Sequence, residues 1–158
     1  MNFFKALIIS GVLMSSLLQA QSFPRGCEVT GFSFHDNYLV VNEAGKQAFY
    51  MLQNRSDNTI ELQRYETRQV FMSPPLQAIL APQNWAAFAS DVQNQYFQCF
   101  RKDEENTQMV NCQDVVDICQ YPRARFALSN MGNYWVSANK SLGETIRDSV
   151  GQGIYLKW

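Results

Sequence analysis

The sequence predicts an all-β protein: an antiparallel β-sandwich with extra strands, stapled by disulfides. Three observations carry the prediction. Short runs that alternate apolar and polar residues recur about every dozen residues, parted by clusters of Asn, Asp, Ser and Gly. Four cysteines follow a secretory leader, an even number with none left over. Eleven Phe, seven Tyr and three Trp supply the bulk for a core.

The amino terminus sets the compartment. MNFFKALIISGVLMSSLLQAQS carries one positive charge, Lys5, then an apolar run from Ala6 to Leu18, then Ala20. A short basic region, an apolar core and a small residue at the cut describe a secretory signal peptide. Residues 1–20 are therefore expected to be removed between Ala20 and Gln21, leaving residues 21–158 as a single β-sandwich domain. The apolar run is 13 residues, against the roughly 20 that a spanning helix needs, so no membrane span is expected after cleavage. Removing Lys5 from the 13 Lys and Arg leaves 12 against 14 Asp and Glu. That near balance gives no electrostatic reason to expect nucleic acid or an acidic membrane surface as partner.

The elements follow in order. CEVTGFSFHDNYLVVNE places Val29, Phe32 and Phe34, then Leu39 and Val41, in alternation, which predicts two short strands around a turn at HDN. In QAFYMLQNRSDNTIELQRYE, Phe49 and Met51, then Ile60 and Leu62, alternate on either side of NRSDN, whose residues bend and cap the backbone. In SPPLQAIL, Pro74 and Pro75 donate no ladder hydrogen bond and suit a strand edge or a crossover. NWAAFAS has helical spacing at Trp85, Phe88 and Ala89, yet in so strand-rich a chain it reads as a strand leading into QYFQCF. YFQCF and TQMVNC flank the charged RKDEEN and read as a hairpin. DVVDICQYP reads as a strand in preference to a single helical turn. ARFALSNMGNYWVSANK reads as a second hairpin, turned at NMGN. GETIRDSV, which opens on Gly143 and is followed by Gly151 and Gly153, fits a short helix, and GIYLKW a terminal strand. The total is eight to ten strands.

Export places Cys27, Cys99, Cys112 and Cys119 where disulfides persist. No two form a C-x-x-C pair, and His35 is the only histidine, so neither a redox pair nor a tetrahedral zinc cluster is expected. Four cysteines allow three connectivities. Cys99–Cys112 with Cys27–Cys119 is preferred, because the first bridge would join neighbouring strands across RKDEEN. The runner-up is Cys27–Cys112 with Cys99–Cys119. Closing the small loop stabilises by roughly 3 kcal/mol on the chain-entropy model, and the long loop by more.

FYMLQNRSDNTIEL resembles an early strand pair of immunoglobulin-like bacterial export proteins, and NWAAFASDVQNQYFQC looks like their later strands. The resemblance implies an immunoglobulin-like sandwich. Across roughly the mature chain, the leader, RGCEV, LQNRSDNTIEL and the YFQC…NC…ICQY cluster also resemble small exported enhanced-entry proteins of the EnhB type, from intracellular gamma-proteobacteria. That second likeness implies a virulence-associated exported protein connected with invasion of a host cell. It carries over no catalytic residue.

No catalytic residue, metal or cofactor is expected. His35, beside Asp36 in FHDN, reads as a solvated turn residue, and a hydrolase with an unrecognised site would have to use it. The carboxylates of KDEEN lack EF-hand spacing and read as a solvated hairpin tip. NRS at Asn54 and NKS at Asn139 match the glycosylation pattern, which a bacterial source would leave bare. NMGNYWVSANKS holds the candidate site. In a strand, Tyr134 and Val136 point one way and Trp135 the other, so at least one large aromatic is exposed unless both faces are covered. With Asn133 and Asn139 beside them, Tyr134 and Trp135 are the candidate protein-binding residues. The function expected is an exported protein-binding module, periplasmic or secreted, whose partner is another protein of the envelope or a host. The alternative is a periplasmic inhibitor of a lysozyme-type hydrolase, with YWVSANKS as its inhibitory edge.

Overall fold

The computed structural model describes residues 23–41, 47–65, 76–91, 93–127 and 132–157. The expected leader, Pro74 and Pro75, and the first half of the NMGN turn lie outside them. The described elements are β1 (Phe32–His35), β2 (Tyr38–Val41), β3 (Ala48–Asn54), β4 (Thr59–Tyr65), β5 (Gln77–Leu80), β6 (Trp85–Ser90), β7 (Gln95–Lys102), β8 (Thr107–Val110), α1 (Cys112–Val115), β9 (Val116–Gln120), β10 (Arg125–Phe126), β11 (Tyr134–Lys140), α2 (Leu142–Gly151) and β12 (Ile154–Tyr155).

The strands build an all-β sandwich of two antiparallel sheets. The first runs β1-β2-β7-β4-β5, with β8 on the C-terminal half of β7, and the second runs β11-β6-β3-β9. β3 pairs β6 in one sheet while β4 pairs β7 in the other, with β5 beside β4 and β8 beside β7. That interleaving is the Greek-key order of an immunoglobulin-like sandwich. The departures are at the edges: β9 and β11, late in the chain, flank β3 and β6. NRSDN therefore carries the chain from one sheet to the other.

Between the sheets lie Leu52, Ile60, Leu62, Phe88, Phe97 and Ile118, with Cys99 and Cys112 among them. A second apolar layer covers the outer face of the second sheet. There Phe49, Met51, Ala87 and Ala89 meet Tyr121, Ile154 and Leu156, with Ile146 of α2 packed against them. β3 and β6 are thus buried on both faces, and β6 is buried at every position. This is why NWAAFAS lacks the strict alternation of a half-exposed strand.

Two disulfides close the fold: Cys27–Cys119 across 92 residues and Cys99–Cys112 across 13. The second staples the β7–β8 hairpin to the first residue of α1. Two bonded cystines suit an oxidising environment outside the cytosol.

Three segments differ from the sequence reading. DVVDICQYP is both things at once: α1 makes one turn, capped by Asn111, and β9 continues from it. ARFALSNMGNYWVSANK is not a hairpin. β10 pairs with β12, and β11 pairs with β6. The second sheet already presents the open edge of β6, which offers β11 a longer ladder than two residues of β10 could. Of GIYLKW, only Ile154–Tyr155 is a strand among the described residues.

α2 starts at a capping box: the Glu144 N–H donates to Ser141 Oγ at 3.3 Å, and the Ser141 N–H donates to the Glu144 carboxylate at 3.1 Å. Asp148 accepts from Lys140 Nζ at 2.7 Å and from Ser137 Oγ at 2.8 Å, tying α2 to β11. The Ser141 hydrogen bonds hold the Glu144 carboxyl below its usual range, and the Lys140 and Ser137 hydrogen bonds do the same for Asp148. Both carboxylates are depressed in the folded state, so their contribution is present above the ordinary carboxylate range and is lost as pH falls through it. Exposure to solvent keeps the effect small. Asp148→Asn is expected to lower stability slightly at neutral pH and to flatten its acid dependence, as read from melting temperatures between neutral and acid pH. A mutant slope as steep as the wild type's would count against the pairing.

Candidate functional site

The predicted binding residues are built into the fold. β11 leaves Ser90 and Asp91 at one end: Asn133 Oδ1 accepts from Ser90 Oγ at 2.9 Å and from the Asp91 N–H at 3.3 Å. Trp135 enters the inter-sheet core, its ring 5.0 Å from Phe88 and 5.7 Å from Phe97. Tyr134 faces the opposite way and packs on the second apolar layer, where burial pushes its phenol pKa up. Two register shifts along β11 follow. Asn139 takes up the last of the irregularity in a left-handed conformation, φ 59°. Its Oδ1 accepts from the Ala81 N–H at 2.8 Å and from Asn84 Nδ2 at 2.9 Å, joining β11 to the β5–β6 turn. Of the two alternatives for this strand, the covered one holds. β11 is covered on both sides, by the facing sheet and by the α2 layer, so Tyr134 and Trp135 are both partly buried.

His35 is exposed at the end of β1, beside Asp36 in a left-handed turn at φ 50°. Asp103, Glu104 and Glu105 are exposed at the β7–β8 tip, and no cluster of three or more His, Cys, Asp or Glu suited to a metal occurs among the described residues. Asn54 is wholly buried, with its amide committed to Asn58 O at 2.7 Å and Leu80 O at 2.9 Å.

An open groove lies elsewhere, at the lateral seam where β1 ends the first sheet and β9 ends the second. It holds about 200 Å³ and is lined by Phe23, Val29, Phe32, Phe34, Val116 and Ile118, with Arg55 and Asp117 also at its wall. Arg55 is fastened there. Its guanidinium pairs with Asp117 at 3.5 Å and donates to Asp114 O at 3.2 Å and to Gln113 O. Val29 is 69% exposed, the most exposed of the large apolar side chains among the described residues.

The edge of β9 beside this groove is open. Glu28 and Gln120 exchange both backbone hydrogen bonds, at 2.7 and 2.8 Å. Gln120 therefore turns its backbone groups outward, and residues two apart share that direction. The outward N–H and C=O of Ile118 meet no backbone partner among the described residues. The Val116 N–H is held by Cys112 O at the end of α1. After Glu28 the chain turns away at Gly31, φ 73°, to begin β1 in the other sheet. Glycine suits this crossing: the conformation is left-handed, and a Cβ there would displace the amide end of the Gln120 side chain. Tyr50 Oη donates to Gly31 O at 2.9 Å and holds the turn in place.

Val29 and Ile118 were not among the sequence candidates. The sequence pattern assigns Val29 to a strand with Phe32 and Phe34, although Gly31 interrupts that run. The edge at Ile118 depends on which strand stops short beside it, and a local pattern does not record this. Among known proteins, no family model, no curated protein and no solved structure matches this chain.

Proposed function

We propose that this protein is an exported, disulfide-stapled binding module that takes an extended segment of another protein along the seam between β9 and β1. One observation carries the reading: a strand edge with outward Ile118 groups borders an apolar groove, and Glu28 already occupies the same edge one step along. An added strand gains main-chain hydrogen bonds from such an edge and side-chain contacts from the groove. A guest strand that continues the Glu28–Gln120 bridge would run antiparallel to β9. Phe32, Phe34 and Val29 would then receive an apolar side chain of the guest. The likeness to enhanced-entry proteins supports a partner in the bacterial envelope or at a host surface. The inhibitor alternative has less support, since Tyr134, Trp135 and Asn139 are engaged within the fold.

The test is a displayed library of random peptides panned against the purified mature chain, followed by titration of the selected peptide. Val29→Asp is expected to weaken binding about tenfold or more, equivalent to about 1.4 kcal/mol, without lowering the melting temperature. The Ile118 amide is expected to gain protection from hydrogen exchange when peptide is bound. A selected peptide indifferent to Val29→Asp, with no protection at Ile118, would overturn the reading.

A further inference from the structure

The charge of the chain is unevenly placed. Residues 121–158 hold five Lys and Arg against two Asp and Glu, while the whole chain stands at −1. The two acidic residues are engaged, Glu144 in the α2 cap and Asp148 with Lys140. Arg123, Arg125 and Lys157 are exposed, and none pairs with an acidic side chain among the described residues.

The β10–β12 ribbon gathers these cations around an aromatic ring. Arg125 stands opposite Tyr155, so the two side chains leave on the same face with their Cβ atoms about 5 Å apart. Phe126, Ile154 and Leu156 turn inward onto the second apolar layer. Leu156 is buried, and Lys157, two residues past Tyr155, is exposed. Tyr155 is 56% exposed. Arg123 sits in the Tyr121–Ala124 turn that leads into β10.

We infer that this outer face binds an acidic polysaccharide, a chain of sugars bearing carboxylate or sulfate groups. The cations take the anionic groups, and the exposed ring offers a flat apolar face to the C–H face of a sugar. An acidic peptide or an anionic bilayer would compete for the same cations, and the titration sets both against the polysaccharide. The ribbon is a different surface from the β9–β1 groove and takes a different class of partner.

The mature chain would be titrated with polygalacturonate, heparin, neutral dextran, polyglutamate and phosphatidylglycerol vesicles. The expected result is binding to polygalacturonate, heparin or both, weakening with salt, and none to dextran. Arg125→Ala with Lys157→Ala is expected to reduce that binding about tenfold or more and to flatten its salt dependence. Tyr155→Ala should weaken the polysaccharide several-fold with the salt dependence unchanged. Val29→Asp should leave it untouched, so failure of the groove and failure of the ribbon are read separately. The inference is overturned if neither acidic polysaccharide binds, if polyglutamate or vesicles bind as tightly, or if Tyr155→Ala has no effect. All the replaced side chains are exposed, and unchanged melting temperatures would show that the fold is intact.

Discussion

Cys27→Ala together with Cys119→Ala is expected to cost about 4–5 kcal/mol of folding stability, and Cys99→Ala with Cys112→Ala about 3 kcal/mol. The ranking follows from loop length, 92 residues against 13, because the longer crosslink removes more freedom from the unfolded chain. Packing works the other way. Cys99 and Cys112 are both wholly buried, whereas Cys27 is only half-buried opposite a wholly buried Cys119. Truncation in the inter-sheet core therefore adds more to the second pair and narrows the gap. Domains of this size are stable by about 5–15 kcal/mol, so the first double variant gives up a large part of what holds it folded. Urea denaturation of the two double variants checks the order. Equal midpoints, or a less stable Cys99/Cys112 variant, would show that core packing outweighs chain entropy here.

The same crosslink has a functional consequence. It pins the segment from Phe23 to Gly31 against β9, one residue from the Glu28–Gln120 bridge that borders the open edge. Freeing it is expected to loosen one wall of the groove and to weaken the peptide capture proposed there, while the proposed binding at Tyr155 is left unchanged.

The legible parts of this chain were those whose partners lie close in sequence. YFQCF and TQMVNC pair across a turn of four residues, and HDN separates two strands that pair with each other. NRSDN was legible as a turn, but whether it joins neighbours or crosses between sheets depends on which strands arrive later to flank β3. β6 was ambiguous for a related reason: its outer face is covered by α2 and β12, more than fifty residues further on, so the alternation that marks a half-exposed strand is absent. ARFALSNMGNYWVSANK had good local hairpin chemistry and lost to tertiary competition, since β6 and β12 offered each half a different partner. The burial of Tyr134 and Trp135 was hidden in the same way. Tyr134 and Trp135 point to opposite faces, as strand alternation requires, but the layer that hides Tyr134 is built by a helix and a ribbon that follow it. Net charge was similarly uninformative, because a balanced total hides the basic ribbon.

Asn54→Asp is expected to cost about 3–5 kcal/mol at neutral pH, the typical penalty of a buried charge without a partner. The two side chains have nearly the same shape, so packing is kept and the chemistry of one atom changes. Asn54 is wholly buried at the corner where the chain leaves the second sheet for the first. Its Oδ1 accepts from the Ser56 N–H at 2.9 Å and from Ser56 Oγ at 2.7 Å, bonds that aspartate keeps. Its Nδ2 donates to two carbonyls, of Asn58 and Leu80, and aspartate sets an oxygen against both. The new carboxyl would have a folded pKa raised above the unfolded value of about 3.9, so its penalty is full above the folded pKa and shrinks as pH falls toward the unfolded one. A proton restores one donor, to one of the two carbonyls. Asn54→Ala serves as the control: it leaves the same carbonyls without a donor and opens a small cavity, at about 2–3 kcal/mol with no dependence on pH. Denaturation at neutral and at mildly acid pH separates the cases, since only the aspartate variant should close its gap to the wild type on acidification. A gap constant with pH would mean that the carboxylate reaches water and the corner opens, contrary to the closed junction of β3, β4 and β5.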